Sequence, residues 1–383
     1  MTILAAQFLE SVPVNLTPVQ ARECLKRAFG LLPLTHILLG WEVPPDIEAA
    51  VAKETARNGA QLYQWHPLLT GEKDSPLAWH TVNMHGRAIP SHKDLPEFTF
   101  LCPKHPDVQS FVVARVDKVI KRGIYHGLFL DRIRFPSPAV SPEKFLGCFC
   151  DECRRAAKQA GFDLEQIRCQ ISKLLTHNGG RITLTRGLFD RYAEHDTALE
   201  LFLRFRADSV THIVTDISKQ LTASGMDTTL DCFSPSLAWM VAQDLGALNA
   251  VSTWTKIMTY PHTFGPAGLP FELLGLLDWL DSQNIVNGSD ILREACGLDL
   301  PQTRETLTTV GLHPKSIQKE IELGRRMGIT ILLAGLALVD LPGINVVDTA
   351  DIQASQSADG LVLSWDLWHI APKHLITISH YIK

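Results

Sequence analysis

Segments that read as buried strands alternate with segments of helical periodicity along nearly all of the 383 residues. The first three strands are ILAAQFL (3–9), THILLGW (35–41) and QLYQW (61–65). The next five are GLFLD (127–131), MDTTLD (226–231), WTKIMTY (254–260), ITILLAG (329–335) and DGLVLSW (359–365). Several are continuous apolar runs rather than alternating ones, which marks a parallel sheet covered on both faces. The helices between them carry their own signals. Thr17-Pro18 followed by Gln20 forms a capping box with proline at the first helical position. Pro44 and Pro45 open a second helix. In HPDVQSFVVARVDKVIKRG, Val108, Phe111, Val112, Val116, Val119 and Ile120 fall at helical spacing until Gly123 stops the pattern.

The simplest closed form of such an α/β chain is a (β/α)8 barrel, the TIM barrel, as a single domain over residues 1–383. Its expected departures from the minimal form are extended βα loops and a long, mostly helical insertion (136–225) after the fourth strand. That insertion contains a Gly179-Gly180 break and a helix from about Thr197 to Ser224. A polar loop (68–96) follows the third strand, and EFTFLC (97–102) is an extended piece within the same connection. A doubly wound open sheet is the competing arrangement. No G-x-G-x-x-G follows the first strand, which weakens the nucleotide-binding version of it.

Composition narrows the function classes. Net charge is −5 with the basic residues scattered, so no stripe suits a phosphate backbone and nucleic acid is not an expected partner. The apolar run 329–339 is too short for a bilayer, which takes roughly 20 residues. The first residues have neither a basic lead nor a small-residue cleavage site, so a cytoplasmic protein is expected. Homo-oligomerisation is left open.

Barrel active sites lie at the C-terminal ends of the strands. Trp41 and Glu42 follow the second strand, and Trp65 and His66 end the third. Asp131, Arg132 and Arg134 end the fourth, and Asp231 the fifth. Tyr260 and His262 follow the sixth, and Trp365 and Asp366 the eighth. Indole faces stack on the apolar faces of sugars, and paired carboxylates cleave glycosidic bonds. Asp131 is the leading catalytic carboxylate, because ending so apolar a run in aspartate is costly unless the group is used or paired. Its partner is Asp231 or Asp366, with Glu42 a further candidate. Trp41, Trp65, Trp365, Tyr260, His66, His262, Arg132 and Arg134 are the candidate substrate contacts. Against each stands a structural reading: a carboxylate as a cap or ion-pair partner, a tryptophan as core.

Cys148, Cys150 and Cys153 form a C-x-C-x-x-C set. A structural zinc needs four ligands, and Cys102 is the natural fourth, with His105 the alternative. Loops after adjacent strands are neighbours, so the four can meet. Free thiols are the other reading. No organic cofactor is expected.

The strand FLDRIRFPS resembles the fourth strand of (β/α)8 glycoside-hydrolase-like barrels. The cysteine pattern is similar to that of family 42 β-galactosidases, which hold a zinc with one cysteine after strand three and C-x-C-x-x-C after strand four. Cys102, Cys148, Cys150 and Cys153 match that order. The resemblance implies a structural zinc and a carbohydrate substrate, and its specific part covers residues 97–155. That family ends strand four with Asn-Glu, where this chain has Leu130-Asp131. It also places a glutamate at the end of strand seven, where this chain reads AGLALVD with Asp340 nearest. β-Galactosidase activity is therefore not carried over. The expectation is a glycoside-hydrolase-like enzyme acting on a carbohydrate through a carboxylate pair. Its rivals are a non-catalytic carbohydrate-binding or scaffold barrel and a metal-dependent hydrolase.

Overall fold

The computed structural model describes residues 3–72, 74–89, 98–177, 197–285, 287–340 and 348–382. Eight parallel strands close into a barrel in chain order. They are β1 (Ile3–Phe8), β2 (His36–Leu39), β3 (Gln61–Pro67), β4 (Gly127–Asp131), β5 (Asp227–Cys232), β6 (Trp254–Ile257), β7 (Leu332–Ala337) and β8 (Gly360–Ser364). Closure is made by β1 on β8, with Ile3 opposite Gly360 and Ala6 opposite Leu363. All eight strands expected from the sequence are present, with ends shifted by a few residues, as is usual for strand boundaries read from patterns. The seventh moves furthest, from 329–335 to Leu332–Ala337.

The first three connecting helices are α1 (Pro18–Leu31), α2 (Pro45–Arg57) and α3 (Pro106–Ile120). α1 has the expected capping box between Thr17 and Gln20. α3 buries Val108, Val112, Val116 and Val119 against the barrel, as its spacing predicts. Between β4 and β5 come α4 (Pro142–Phe145), α5 (Asp151–Gln159), α6 (Leu164–His177) and α7 (Thr197–Ala223). The Gly179-Gly180 break lies outside the described residues. Of the piece expected at 97–102, Phe100 and Leu101 are extended, bridging Thr70 and His80, whereas Phe98 lies in a 3-10 turn.

Strand alternation divides the core in two. One face of the strands packs outward under the helices. The other face fills the barrel with Ala5, Leu38, Tyr63, Trp65, Phe129, Trp254, Leu333 and Val362. At the N-terminal end the Tyr63 hydroxyl donates to Asp227 Oδ2 at 2.7 Å, and burial pushes His36 down to about 4. Gly127 makes room for this arrangement. A Cβ there would lie 2.5 Å from the Asp227 carbonyl oxygen and 2.5 Å from Tyr63 Cε1. Gly127→Ala is expected to destabilise the fold by about 1–3 kcal/mol through overpacking, measured as a lowered midpoint in urea with an unchanged slope.

Candidate functional site

At the C-terminal end the inward face turns polar. Asp131 follows Phe129 by two residues and so points along the same face into the barrel. Its Oδ2 accepts from the Trp65 indole Nε1 at 2.9 Å, and its Oδ1 accepts from the Arg132 backbone N–H at 2.5 Å. Arg132 has φ +53°, in the left-handed region, so the chain turns sharply immediately after the carboxylate. Residues held in such conformations cluster at functional sites.

Asp231 lies on the neighbouring strand and faces the same interior. Its Oδ2 pairs with Lys256 Nζ at 2.8 Å, and both side chains are almost wholly buried. Asp231 Oδ1 is buried with no partner among the described residues. Burial pushes Asp231 up to about 7, reinforced by the charge of Asp131 and opposed by Lys256 and Arg134. Lys256 is also raised: burial acts against its charge, but Asp231 and Tyr260 more than offset that. Lys256 reaches Gln7 Oε1 at 3.4 Å. The Tyr260 hydroxyl donates to Ser364 Oγ at 3.0 Å, and burial pushes it up to about 12. The Tyr260 ring lies 4.8 Å from that of Trp365, which is half-buried. Gly335 on β7 is part of this site. A Cβ there would come within 2.7 Å of Lys256 Cε and 3.1 Å of the Tyr260 hydroxyl.

The remaining sequence candidates take other roles, and Arg132, its Nε 3.9 Å from Asp131 Oδ2, stays beside the carboxylate. Asp366 serves the backbone: its Oδ1 accepts from Leu9 N–H at 2.8 Å and Trp368 N–H at 3.0 Å, and Oδ2 lies 3.5 Å from His369 Nδ1. It ties the ends of β1 and β8 together instead of joining Asp131 and Asp231. Trp65 is 1% exposed, so it is a core residue that holds Asp131 and offers no open face to a sugar. Trp41 stands edge-on to Trp65 at 5.6 Å, with the Arg132 guanidinium 5.2 Å from its ring. Arg132 also pairs with Glu10 at 3.3 Å. Arg134 is buried between Phe100 and Phe233, and burial pushes it down to about 10. His262 bridges the Val310 carbonyl and Asp351. His66 and Glu42 line a cleft on the outer side of β3. The two histidines therefore do not converge. Among the described residues only the cysteines group as a metal-ligand set.

Three residues of this polar cluster escaped the sequence reading: Gln7, Lys256 and Ser364. Strand-end position was the criterion, and these sit within the strands. The available signal was a polar residue inside an apolar run, as in ILAAQFL and WTKIMTY.

The four thiols do meet. The Sγ atoms of Cys102, Cys148, Cys150 and Cys153 all lie within 4.8 Å of one another and are buried. Cys102 Sγ is 3.5 Å from Cys150 Sγ and 3.4 Å from Cys153 Sγ. A tetrahedral zinc with bonds of about 2.3 Å puts its sulfurs roughly 3.8 Å apart, so the set fits that ion. The Val82 N–H points at Cys148 Sγ at 3.2 Å, the kind of donor that supports a metal-bound thiolate. The buried Arg206 of α7 braces the loop by donating to the carbonyls of Phe145, Gly147 and Met240. His105, the alternative ligand, instead caps α3, its Nδ1 accepting from Asp107 N–H at 3.2 Å.

No protein-family model matches the sequence, and no curated protein matches it. Solved structures do resemble the chain. The catalytic domain of a β-amylase from Paenibacillus polymyxa superposes with a TM-score of 0.56 at 10% identity, covering 99% of this chain and 97% of that one. A class V chitinase from Pseudomonas fluorescens Pf-5 gives 0.52 at 10% identity, covering 99% and 98%. What they share with this chain is the fold. Identity this low carries over no site residue, and this barrel's own carboxylates have to be judged on their geometry.

Two outcomes follow. Metal analysis of the purified chain is expected to find about one zinc per molecule, lost in Cys148→Ser together with a lower melting temperature. Gly335→Ala is expected to displace Lys256 and Tyr260, seen as a changed tyrosine environment in near-ultraviolet circular dichroism with the far-ultraviolet spectrum retained.

Proposed function

We propose that this barrel is a glycoside-hydrolase-like enzyme whose carboxylate pair is Asp131 and Asp231. The observation that carries the reading is the placement of two inward carboxylates on adjacent strands at the mouth, one of them raised to about 7. Pairs of titratable groups whose surroundings push them toward different protonation states are the usual basis for dividing acid and base roles. Asp231, protonated below neutrality, is the general acid, with Oδ1 free to deliver the proton. Asp131 is the nucleophile or base, held in place by the Trp65 and Arg132 N–H groups. Lys256, whose ammonium also reaches Gln7 Oε1, orients Asp231 through Oδ2, the oxygen opposite the transferred proton. Trp365 and Tyr260 supply the aromatic contact for the sugar. A zinc at the four cysteines braces the loop after β4 and takes no part in bond cleavage.

A second reading is a non-catalytic carbohydrate-binding barrel. It is favoured by Gly335 standing in the β7 segment where the family 42 pattern has a glutamate, and by the ion pair that already occupies Asp231.

A panel of nitrophenyl glycosides separates the two. Hydrolysis by the wild type is expected to fall by about 10²–10⁴ in Asp131→Asn and in Asp231→Asn. The acid form of Asp231 is the active one, so wild-type turnover should decline as pH rises through about 7, and the residual turnover of Asp231→Asn should lack that decline. Sugar binding with no turnover for any glycoside would leave the second reading standing.

A further inference from the structure

A cleft of about 420 Å³ opens on the outer side of the barrel, between β3 and α3. Gln64 and His66 form its floor. They alternate along β3 with Tyr63 and Trp65, which face the barrel axis, so the floor of the cleft faces away from the interior that holds Asp231; at its upper edge Arg132, 3.9 Å from Asp131 Oδ2, also lines the cleft. Arg115 and Lys118 of α3 form one side, and Glu42 and Glu72 lie on the rim.

The lining is charged beyond what the fold needs. Two of its cations are already engaged: Arg122 pairs with Glu48 at 2.5 Å, and Arg132 with Glu10 at 3.3 Å. Arg115 is different. Its guanidinium lies 5.2 Å from the Phe111 ring, and its hydrogen bond among the described residues, to the Thr70 carbonyl, is long at 3.5 Å. Among the described residues neither Arg115 nor Lys118 has a carboxylate in salt-bridge contact. Burial lowers Arg115 while Glu72 and Glu42 pull it back up, so both acids lie within its field without touching it. His66 is 3% exposed. Its Nδ1 donates to Gln64 Oε1 at 3.0 Å, which leaves Nε2 buried without a partner and able to accept a hydrogen bond.

A bare anion would suit Arg115 and Lys118 but would be opposed by the two rim carboxylates. A ligand that brings an anionic group and hydroxyls together satisfies all of them, because carboxylates and a neutral imidazole nitrogen accept from hydroxyls. We propose that this cleft binds a hydroxylated small molecule carrying a phosphate-type oxyanion. The oxyanion sits on Arg115 and Lys118, and the hydroxyls donate to Glu42, Glu72 and His66 Nε2. The site uses neither Asp131 nor Asp231 as a ligand group.

Isothermal titration of the full chain tests this with glucose 6-phosphate, inorganic phosphate and glucose as probes. Glucose 6-phosphate is expected to bind saturably, at least about tenfold more tightly than inorganic phosphate, with glucose showing no binding that competes. The variant Arg115→Gln/Lys118→Gln should weaken glucose 6-phosphate binding at least about tenfold, and Asp231→Asn should leave it unchanged. Lys118→Gln alone, at an exposed position, provides the same reading in a smaller step should the double variant fail to fold. Absence of saturable binding by either phosphate compound overturns the proposal. So does an affinity unaffected by the Arg115 and Lys118 changes, or one lost in Asp231→Asn. Equal affinity for inorganic phosphate and glucose 6-phosphate overturns the role of the rim carboxylates.

Discussion

A parallel sheet that closes on itself must fill its interior with one face of every strand, and no solvent can make up a shortfall there. The pairing of β1 with β8 imposes that condition on this chain. The lower and middle levels meet it with Tyr63, Phe129, Trp254 and smaller aliphatic residues. The upper level meets it with Gln7, Asp131, Asp231, Lys256 and Ser364. Polar groups in so dry a place have to satisfy one another, since each unmatched charge costs several kcal/mol (an order-of-magnitude figure). The Asp231–Lys256 pair, the Trp65–Asp131 bond and the Tyr260–Ser364 bond are that mutual satisfaction. Among the described residues of this upper level, Asp231 Oδ1 and Gln7 Nε2 stay unmatched. Unpaired polar atoms at a barrel mouth are where a substrate or an ordered water would be expected.

Burial explains the state of Asp231. Removing a carboxylate from water favours its neutral form, and one lysine does not cancel that effect here. A buried pair of this kind is a poor source of stability compared with well-packed apolar residues. Its retention is more readily understood as positioning. Gly335 supports this, because only a residue without a Cβ leaves space for the lysine stem and the tyrosine ring.

The cysteine loop lies directly downstream of the site. The chain leaves β4 through a left-handed residue at Arg132 and soon reaches the C-x-C-x-x-C segment. The four sulfurs join that segment to the loop after β3, and Arg206 ties the same segment to α7. A metal here would constrain two long connections at once, which short contacts between flexible loops do not achieve. Asp131 stands at the start of the constrained loop, so its carboxylate inherits the constraint.

Local patterns carried much of this. The apolar runs, the Thr17–Gln20 capping box, the valines of α3 and the cysteine spacing are all encoded within a few neighbouring residues, so the sequence by itself determined the barrel, its helices and the thiol set. Asp131 and Asp231 were also legible, each as an acidic residue ending a strand. Which strand-end residues face the same interior was not legible. Past the last strand residue the two-residue alternation lapses, and the direction of a side chain is set by loop conformation and by neighbours distant in sequence. Tertiary structure therefore decided that Asp366 holds the ends of β1 and β8 together, that His262 turns to Asp351, and that His66 and Glu42 belong to a cleft outside the barrel wall. It also decided that Lys256, on a strand whose neighbours are apolar, meets Asp231, because only barrel closure and register bring those two positions side by side.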